Sequence, residues 1–244
     1  MKHILSTRRT FMKSCIAAGA MPFIAPSALW GQTAPSGTIA LAMIGLGRQA
    51  IQINLPALLG LPGVRIVALC DVDGWRLEKA KAEVDRYYGN NDCAVHRDWR
   101  EVVARDDIDA VMNSTPDHWH VPTSLAAVKA GKHVSCEKPL TLSIGEGRRL
   151  ADAVKEHGVV FRTDTECRSH GDMHKIAELV RNGRVGKVTH IDVGVPEADG
   201  PGGNPEPMPT PEELDYDMWL GPAPEKPYTL DRVHPVKSLK RPGW

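Results

Sequence analysis

Short apolar runs alternate with longer amphipathic runs from residue 38 to residue 163, and this alternation restricts the possible folds more than any other feature. Five apolar runs of four to seven residues enclose four amphipathic runs of ten to fifteen, as in βαβ units of a parallel sheet. The expected strands are 38–44, 65–70, 110–114, 133–136 and 159–163. The expected helices are 49–59, 74–88, 121–130 and 144–157. A shorter strand is expected at 94–95, followed by a shorter helix at 99–104. The sequence therefore predicts an α/β fold with a doubly wound parallel sheet.

The first expected strand runs directly into a GxGxxA motif, Gly45-Leu46-Gly47-Arg48-Gln49-Ala50. Gly45 permits a tight turn, Gly47 lets the backbone approach a pyrophosphate, and Ala50 keeps the following helix close to the strand. Phosphates would lie at the helix N-terminus, where free N–H groups favour anions. We therefore expect Gly45 to Gln49 to bind a dinucleotide in a Rossmann domain, with a plain glycine turn as the alternative.

An acidic residue follows the second expected strand, where a dinucleotide-binding domain needs a partner for the ribose. Asp71 stands 26 residues after Gly45, and its carboxylate can accept both ribose hydroxyls while repelling a 2′-phosphate. This favours NAD over NADP. Arg76 lies nearby and can instead face a 2′-phosphate or the adenine, so NADP stays possible.

Two polar segments follow the strands at 110–114 and 133–136. The first runs from Asn113 through Ser114 to His120, and the second contains Glu137 and Lys138. Because ligands of open α/β sheets bind beyond the carboxyl ends of strands, both segments are expected at the ligand edge. A lysine beside a nicotinamide can exchange a proton with a substrate hydroxyl, whereas a solvated turn residue is the alternative for Lys138. Two histidines in an HxH pattern lack a third ligand, so no metal is expected.

These motifs, taken in order, resemble the Gfo/Idh/MocA oxidoreductases, which include glucose–fructose oxidoreductase and inositol dehydrogenase. The resemblance runs from about residue 38 to residue 244 and rests on GxGxxA, the acid after the second strand, TPDHWH at 115–120 and EKP at 137–139. It implies an NAD(P)-dependent enzyme acting on a CH–OH group of a carbohydrate. It also implies that Lys138 is catalytic, and that Lys138 belongs to the cofactor site together with Ser114, Thr115, Pro116, His120 and Glu137.

The segment after the last strand resembles a family stretch that often reads GxQxR and opens a second domain. Asp164 and Glu166 replace the glycine and glutamine here. Arg168 is retained and is a candidate for contacting substrate oxygens, with a surface ion pair as the alternative.

The sequence after residue 164 contains few signals of regular structure. We expect a helix at 172–182, a strand at 187–195 and a proline-rich irregular loop at 196–227. Relatives carry a large antiparallel sheet there, with oligomer contacts and a catalytic histidine often in a DxxxH pattern, and no DxxxH stands between Gly186 and Trp244. We therefore interpret 36–164 as a complete NAD-binding Rossmann domain and 165–244 as a partial C-terminal α+β domain. A homo-oligomer would need that domain to be complete.

The charge of the chain is unevenly distributed. Its 30 basic and 30 acidic residues balance, but residues 1–31 contain four basic residues and no acid. Removing these four leaves 26 basic residues against 30 acidic ones, a net charge of −4. This argues against nucleic-acid binding through phosphate contacts. The five cysteines form no CxxC pair, so neither a disulfide framework nor a zinc site is indicated.

Arg8 and Arg9 form a twin-arginine pattern, followed by an apolar stretch that is too short and broken for a membrane helix. We interpret 1–31 as a twin-arginine signal peptide, with a basic disordered N-terminus as the alternative. The expected location is the periplasm or another site reached through the Tat machinery.

Three functions are therefore considered. The leading one is an NAD(P)-dependent oxidoreductase that acts on a sugar, polyol or sugar derivative. The second is an NAD-dependent glycosidase that oxidises a sugar transiently and eliminates the aglycone. The third is a non-catalytic NAD-binding remnant.

Overall fold

The computed structural model describes residues 37–194, 205–235 and 237–239. The chain divides into two units, Met1–Thr38 and Ile39–Trp244, and the described residues belong almost entirely to the second. The expected signal peptide at 1–31 lies outside the described residues, so export stays a prediction. Within the described ranges, no helix combines the length and apolar character needed to span a bilayer.

Six strands form one parallel sheet, as the alternation of the sequence predicts. They are β1 (Ile39–Ile44), β2 (Val64–Cys70), β3 (Ala94–His96), β4 (Ala110–Asn113), β5 (His133–Glu137) and β6 (Phe161–Asp164). Their order is β3-β2-β1-β4-β5-β6, and every neighbouring pair is parallel. The chain reverses its direction of winding between β1 and β4, which creates a crevice at the carboxyl ends of these strands. The predicted Rossmann fold is confirmed.

Helices cover the sheet, and several of their ends follow local sequence signals. The helices are α1 (Leu55–Leu59), preceded by a π-helical turn at Ala50–Asn54, then α2 (Gly74–Tyr88), α3 (Trp99–Val103), α4 (Asp117–Lys129), α5 (Ile144–His157), α6 (Gly171–Arg181) and α7 (Tyr216–Leu220). Ser143 and Glu146 form a reciprocal capping box at the start of α5. Helix α4 begins four residues earlier than predicted, because its first turn is polar and interrupts the apolar pattern.

Both faces of the central strand β1 are buried. Along β1, Leu41 and Met43 belong to one apolar cluster, and Ala42 and Ile44 belong to the other. Such two-sided burial is typical of parallel strands between helical layers. The crevice above β1 and β4 is therefore built on a rigid base.

The region after β6 differs from the prediction in two ways. The prediction of a strand at 187–195 is wrong. Its described part, 187–194, is exposed and irregular, and no described strand lies beside it to pair with. The loop expected at 196–227 contains α7, which Asp215 caps by accepting a hydrogen bond from Met218 N–H at 3.0 Å. Leu214, Tyr228 and Val233 form a small third core beneath this segment.

Candidate functional site

A cleft of about 270 Å³ lies at the carboxyl ends of β1, β2 and β4. Its walls come from the glycine turn, from the end of β2, from the loop after β4 and from the segment around α7. The predicted site residues that line it are Gly45, Gly47, Arg48, Gln49, Asp71, Arg76, Ser114, Thr115 and Pro116. The structure thus brings together nine of the residues that the sequence singles out.

The two glycines of the motif occupy different environments. Gly45 has a φ of 85°, and a Cβ there would lie 2.6 Å from the carbonyl of Ser114 and from the amide nitrogen of Thr115. Gly47 has no heavy atom within 4 Å of the position of a Cβ. The first glycine therefore closes the turn against the neighbouring loop, and the second leaves space where a phosphate can approach the helix N-terminus. Leu46 is fully buried and belongs to the core.

Asp71 faces the cleft from the end of β2 and is fixed by backbone donors. Leu46 N–H donates to its Oδ2, and Asp73 N–H donates to its Oδ1 at 2.7 Å. Burial raises the pKa of the Asp71 carboxyl, and the two backbone hydrogen bonds oppose that rise. Because each carboxylate oxygen has two acceptor sites, one remains on each for a ribose hydroxyl.

Arg76 is buried in the wall of the cleft, and its guanidinium is already engaged. Its Nε lies 3.4 Å from Asp73 Oδ2, and its Nη2 donates to the carbonyl of Ser238 at 3.0 Å. Its Nη1 also lies 3.5 Å from the carbonyl of Leu46. The charge of Arg76 therefore faces Asp73 and backbone oxygens, which leaves little of it for a 2′-phosphate.

Asn113 organises the loop after β4, although sequence reasoning did not select it. Its Nδ2 donates to the carbonyl of His120 and to Ser124 Oγ, both at 3.0 Å. Its Oδ1 accepts from Thr115 Oγ1 at 2.7 Å. The signal that the sequence offered was an asparagine at the end of an apolar strand. In the structure its amide is fully buried, and its hydrogen bonds shape the loop that lines the cleft.

His120 does not line the cleft. Its ring is 1% exposed and lies between two backbone carbonyls. Its Nε2 is 2.8 Å from the Thr115 oxygen, and its Nδ1 is 2.7 Å from the Pro139 oxygen. His120 thus connects the loop after β4 with the segment after β5.

The corner after β5 contains Glu137 and Lys138, and neither lines the 270 Å³ cleft. Glu137 is buried and accepts from Asn54 Nδ2 at 3.0 Å, while the same amide donates to Ser114 Oγ at 3.2 Å. Lys138 is exposed, and the Lys138–Pro139 peptide bond is cis. Among the described residues, its Nζ has no hydrogen-bond partner. The cofactor loop and the lysine corner are therefore linked by Asn54 as well as by His120.

Cysteine and metal chemistry find no support in this part of the fold. Burial raises the pKa of the Cys136 thiol to about 11, which disfavours a nucleophilic thiolate at neutral pH. In the ranges that the structure describes, no three His, Cys, Asp or Glu side chains gather as a metal site. His118 instead bonds the carbonyl of Trp219 through its Nε2 at 2.7 Å.

The segment around α7 covers one side of the cleft, and we call it the roof, residues 205–235 and 237–239. Met218, Trp219, Val233 and His234 from the roof line the cleft. Trp119 Nε1 donates to the Met218 carbonyl at 2.9 Å, which fixes the roof to the start of α4. Sequence reasoning treated this stretch as irregular, because its contacts join residues about a hundred positions apart or more.

A buried hydrogen bond between side chains also holds the roof to the sheet. His234 Nε2 lies 2.8 Å from Asp73 Oδ2, and both side chains are largely buried. Burial alone would raise the pKa of the Asp73 carboxyl, but the hydrogen bond with His234 and the N–H of Arg76 hold it below its usual value. Arg97 adds hydrogen bonds to the carbonyls of Val72 and Glu213 at 2.6 and 2.8 Å.

A second cleft of about 520 Å³ adjoins the first and shares Pro116, Asp117 and Trp219 with it. It also contains Asp231 and Arg232 from the roof. Arg168, the predicted substrate residue, lines neither cleft and is exposed in a 3₁₀ turn. Glu166 in the same turn accepts a hydrogen bond from Gln49 Nε2 at 3.0 Å.

The residues of the first cleft fit a dinucleotide. An open backbone at Gly47 and the adjacent helix N-terminus suit the pyrophosphate, and Asp71 suits the adenosine ribose. The loop at Ser114 to Pro116 lies over the other half of the sheet, where the nicotinamide half of an extended dinucleotide would lie.

Comparison with known proteins identifies the same kind of domain. The chain is 32% identical over 155 residues to the uncharacterized oxidoreductase ORF334 of Rhizobium meliloti, covering 63% of the chain and 44% of that protein. It is 32% identical over 166 residues to a glycosyl hydrolase family 109 protein of Solibacter usitatus, covering 64% and 36%. Scyllo-inositol dehydrogenase from Lactobacillus casei, crystallised with NAD(H) and scyllo-inositol, has a TM-score of 0.57 at 27% identity, over 62% of the chain and 43% of that protein.

The chain spans less than half the length of these relatives. Residues 39–165 match an oxidoreductase family with an NAD-binding Rossmann fold, and residues 200–238 match the C-terminal alpha/beta domain of the same family. Because the first match alone covers more than half of the chain, the protein belongs to the Gfo/Idh/MocA family of oxidoreductases.

Proposed function

We propose that this protein transfers a hydride between NAD and a CH–OH carbon of a sugar, polyol or sugar derivative. The observation that carries the proposal is the first cleft, in which an open Gly47 backbone and the fixed carboxylate of Asp71 meet the loop at Ser114 to Pro116. His120 joins this loop to the carbonyl of Pro139, the residue after Lys138. The engaged guanidinium of Arg76 favours NAD, with NADP as the alternative. The bound NAD(H) and scyllo-inositol of the Lactobacillus casei relative support the cofactor and the substrate class.

Each residue has a defined part in this reaction. A bound nicotinamide supplies the hydride acceptor or donor. The backbone at Gly47 binds the pyrophosphate, and Asp71 orients the ribose. When an alcohol is oxidised, Lys138 Nζ is the proposed acceptor of the hydroxyl proton, and in the reverse direction it returns that proton to the carbonyl oxygen.

The second cleft is the proposed substrate position. It adjoins the nicotinamide side of the first cleft, and it holds the carboxylates of Asp117 and Asp231, the guanidinium of Arg232 and the ring of Trp219. Carboxylates and guanidinium groups bond hydroxyls, and an aromatic face packs against the C–H face of a sugar ring. A volume of about 520 Å³ is within the usual range for small-molecule sites.

A glycosidase reaction is the second candidate. It is favoured by the relative from Solibacter usitatus, which is named as a glycosyl hydrolase family 109 protein. In such a reaction the sugar carbon is oxidised, the aglycone is eliminated, water adds at the carbon that carried it and the oxidised carbon is reduced again, so NAD is not consumed. The same cleft and the same Lys138 would serve both reactions.

The test combines binding with turnover. Calorimetry measures NAD binding, and the absorbance of NADH measures oxidation of a panel of sugars and polyols. Lys138→Met is expected to lower kcat about 100-fold or more while leaving NAD affinity unchanged, because general acid–base catalysis contributes about 10²–10⁴-fold. Lys155→Met, an exposed lysine on α5, is the matched control and should behave like the wild type.

The outcomes separate the candidates. Net NADH formation supports the oxidoreductase, and release of an aglycone without net NADH supports the glycosidase. NAD binding without any turnover supports the non-catalytic remnant. Full activity of Lys138→Met would remove Lys138 from the mechanism.

A further inference from the structure

The imidazole of His120 contacts two groups that can only accept hydrogen bonds. Its Nε2 lies 2.8 Å from the carbonyl oxygen of Thr115, and its Nδ1 lies 2.7 Å from that of Pro139. A neutral imidazole has one N–H, so one of these carbonyls would then face a ring lone pair. The ring is 1% exposed, and no bulk water reaches it to compensate.

We propose that His120 carries a proton on both ring nitrogens and, in that form, is the positioning residue that ties the Lys138 corner to the cofactor loop. Two N–H groups satisfy both carbonyls at once. Asn113 supports the arrangement from the other side, because its Nδ2 donates to the carbonyl of His120 at 3.0 Å.

The positions of the two carbonyls explain why this bridge matters for the reaction. Thr115 lines the first cleft, and Pro139 directly follows Lys138. The two hydrogen bonds of His120 therefore fix the distance between the cofactor loop and the backbone that carries the lysine. A displacement of about 1 Å at a reacting group can cost about 100-fold in rate.

The ionisable side chains around this bridge are Asp117 and His118 on the helix of His120, and Glu137 and Lys138 at the end of β5. Glu137 is buried and Lys138 is exposed.

The first test is spectroscopic and needs neither substrate nor activity. In the whole chain labelled with ¹⁵N-histidine, the His120 ring nitrogens are expected to show the shifts of a doubly protonated ring at neutral pH. His157 is the control resonance, because it contacts a single carbonyl, that of Ala153 at 3.0 Å. One protonated and one bare nitrogen at His120 would overturn the proposal, whether or not the protein is an enzyme.

The second test is kinetic and rests on the proposed oxidoreductase function. His120→Phe, if folded, is expected to lower kcat about 100-fold with little change in NAD affinity, and His120→Gln, which keeps one donor, should recover part of the loss. His157→Gln should match the wild type. A folded His120→Phe with wild-type kcat would refute the positioning role.

Discussion

Replacing each motif glycine with alanine separates the folding role of the first cleft from its binding role. In Gly45→Ala, the residue must keep a φ of 85°, which costs about 1–2 kcal/mol for an L-residue. Its Cβ would also lie 2.6 Å from backbone atoms of Ser114 and Thr115, and relieving such overpacking costs about 1–3 kcal/mol. The expected loss of stability is therefore about 2–5 kcal/mol, or a fall in Tm of roughly 4–20 °C for a unit of this size.

Gly47→Ala is the matched variant. No heavy atom lies within 4 Å of its Cβ position, so folding should be unaffected or favoured by a few tenths of a kcal/mol. The methyl group occupies the space in which a pyrophosphate approaches, so NAD affinity should fall more than about tenfold, which is about 1.4 kcal/mol.

Urea unfolding and calorimetry with NAD measure the two effects independently. A Gly45→Ala protein as stable as the wild type would contradict the packing argument. NAD binding by Gly47→Ala with wild-type affinity would show that the dinucleotide lies elsewhere.

Two acidic residues at the end of β2 allow further predictions. Asp71→Ser should reduce the preference for NAD over NADP at least about tenfold in calorimetry, because it removes the charge that repels a 2′-phosphate, and an unchanged ratio would exclude Asp71 as the discriminating group. Asp73 has a lowered pKa, so its ionised form stabilises the fold above its usual pKa of 3.8, and that contribution disappears as the pH falls through the folded value. The stability difference between the wild type and Asp73→Asn should therefore stay constant above about pH 5 and shrink as the pH falls below 3.8, whereas a difference that stays constant down to the acid limit would refute this assignment.

The sequence predicts the sheet well because the signal for each strand, a run of apolar residues, lies within the strand itself. Each of the six strands begins and ends within two residues of an expected strand. The signal is strongest for the central strands, such as β1 and β4, because burial on both faces leaves a continuous apolar run. The strand at 187–195 is wrong because a strand needs a neighbour, and an apolar run alone does not provide one. The first turn of α4 was missed since its residues bond loops and the roof rather than the core.

The candidate site is predictable only in part, for a similar reason. Gly45, Asp71 and Thr115 stand at strand ends, where the sequence already places ligands. His120 was expected to line the cofactor, but it lies beneath two carbonyls and outside the cleft. Met218 and His234 had no local signal, because their role depends on contacts with residues far earlier in the chain.

The roof also has a consequence for the lifetime of the bound nucleotide. Met218 stands 171 residues after Gly47, and His234 is later still, so a growing chain exposes the glycine turn long before the roof exists. A nucleotide captured during synthesis meets an open platform, and docking of the roof then adds a wall on one side of it. Departure past this wall requires the Asp73–His234 hydrogen bond and its neighbouring bonds to open locally. The residence time of the cofactor is then governed by the frequency of that opening as much as by the strength of its contacts with the glycine turn.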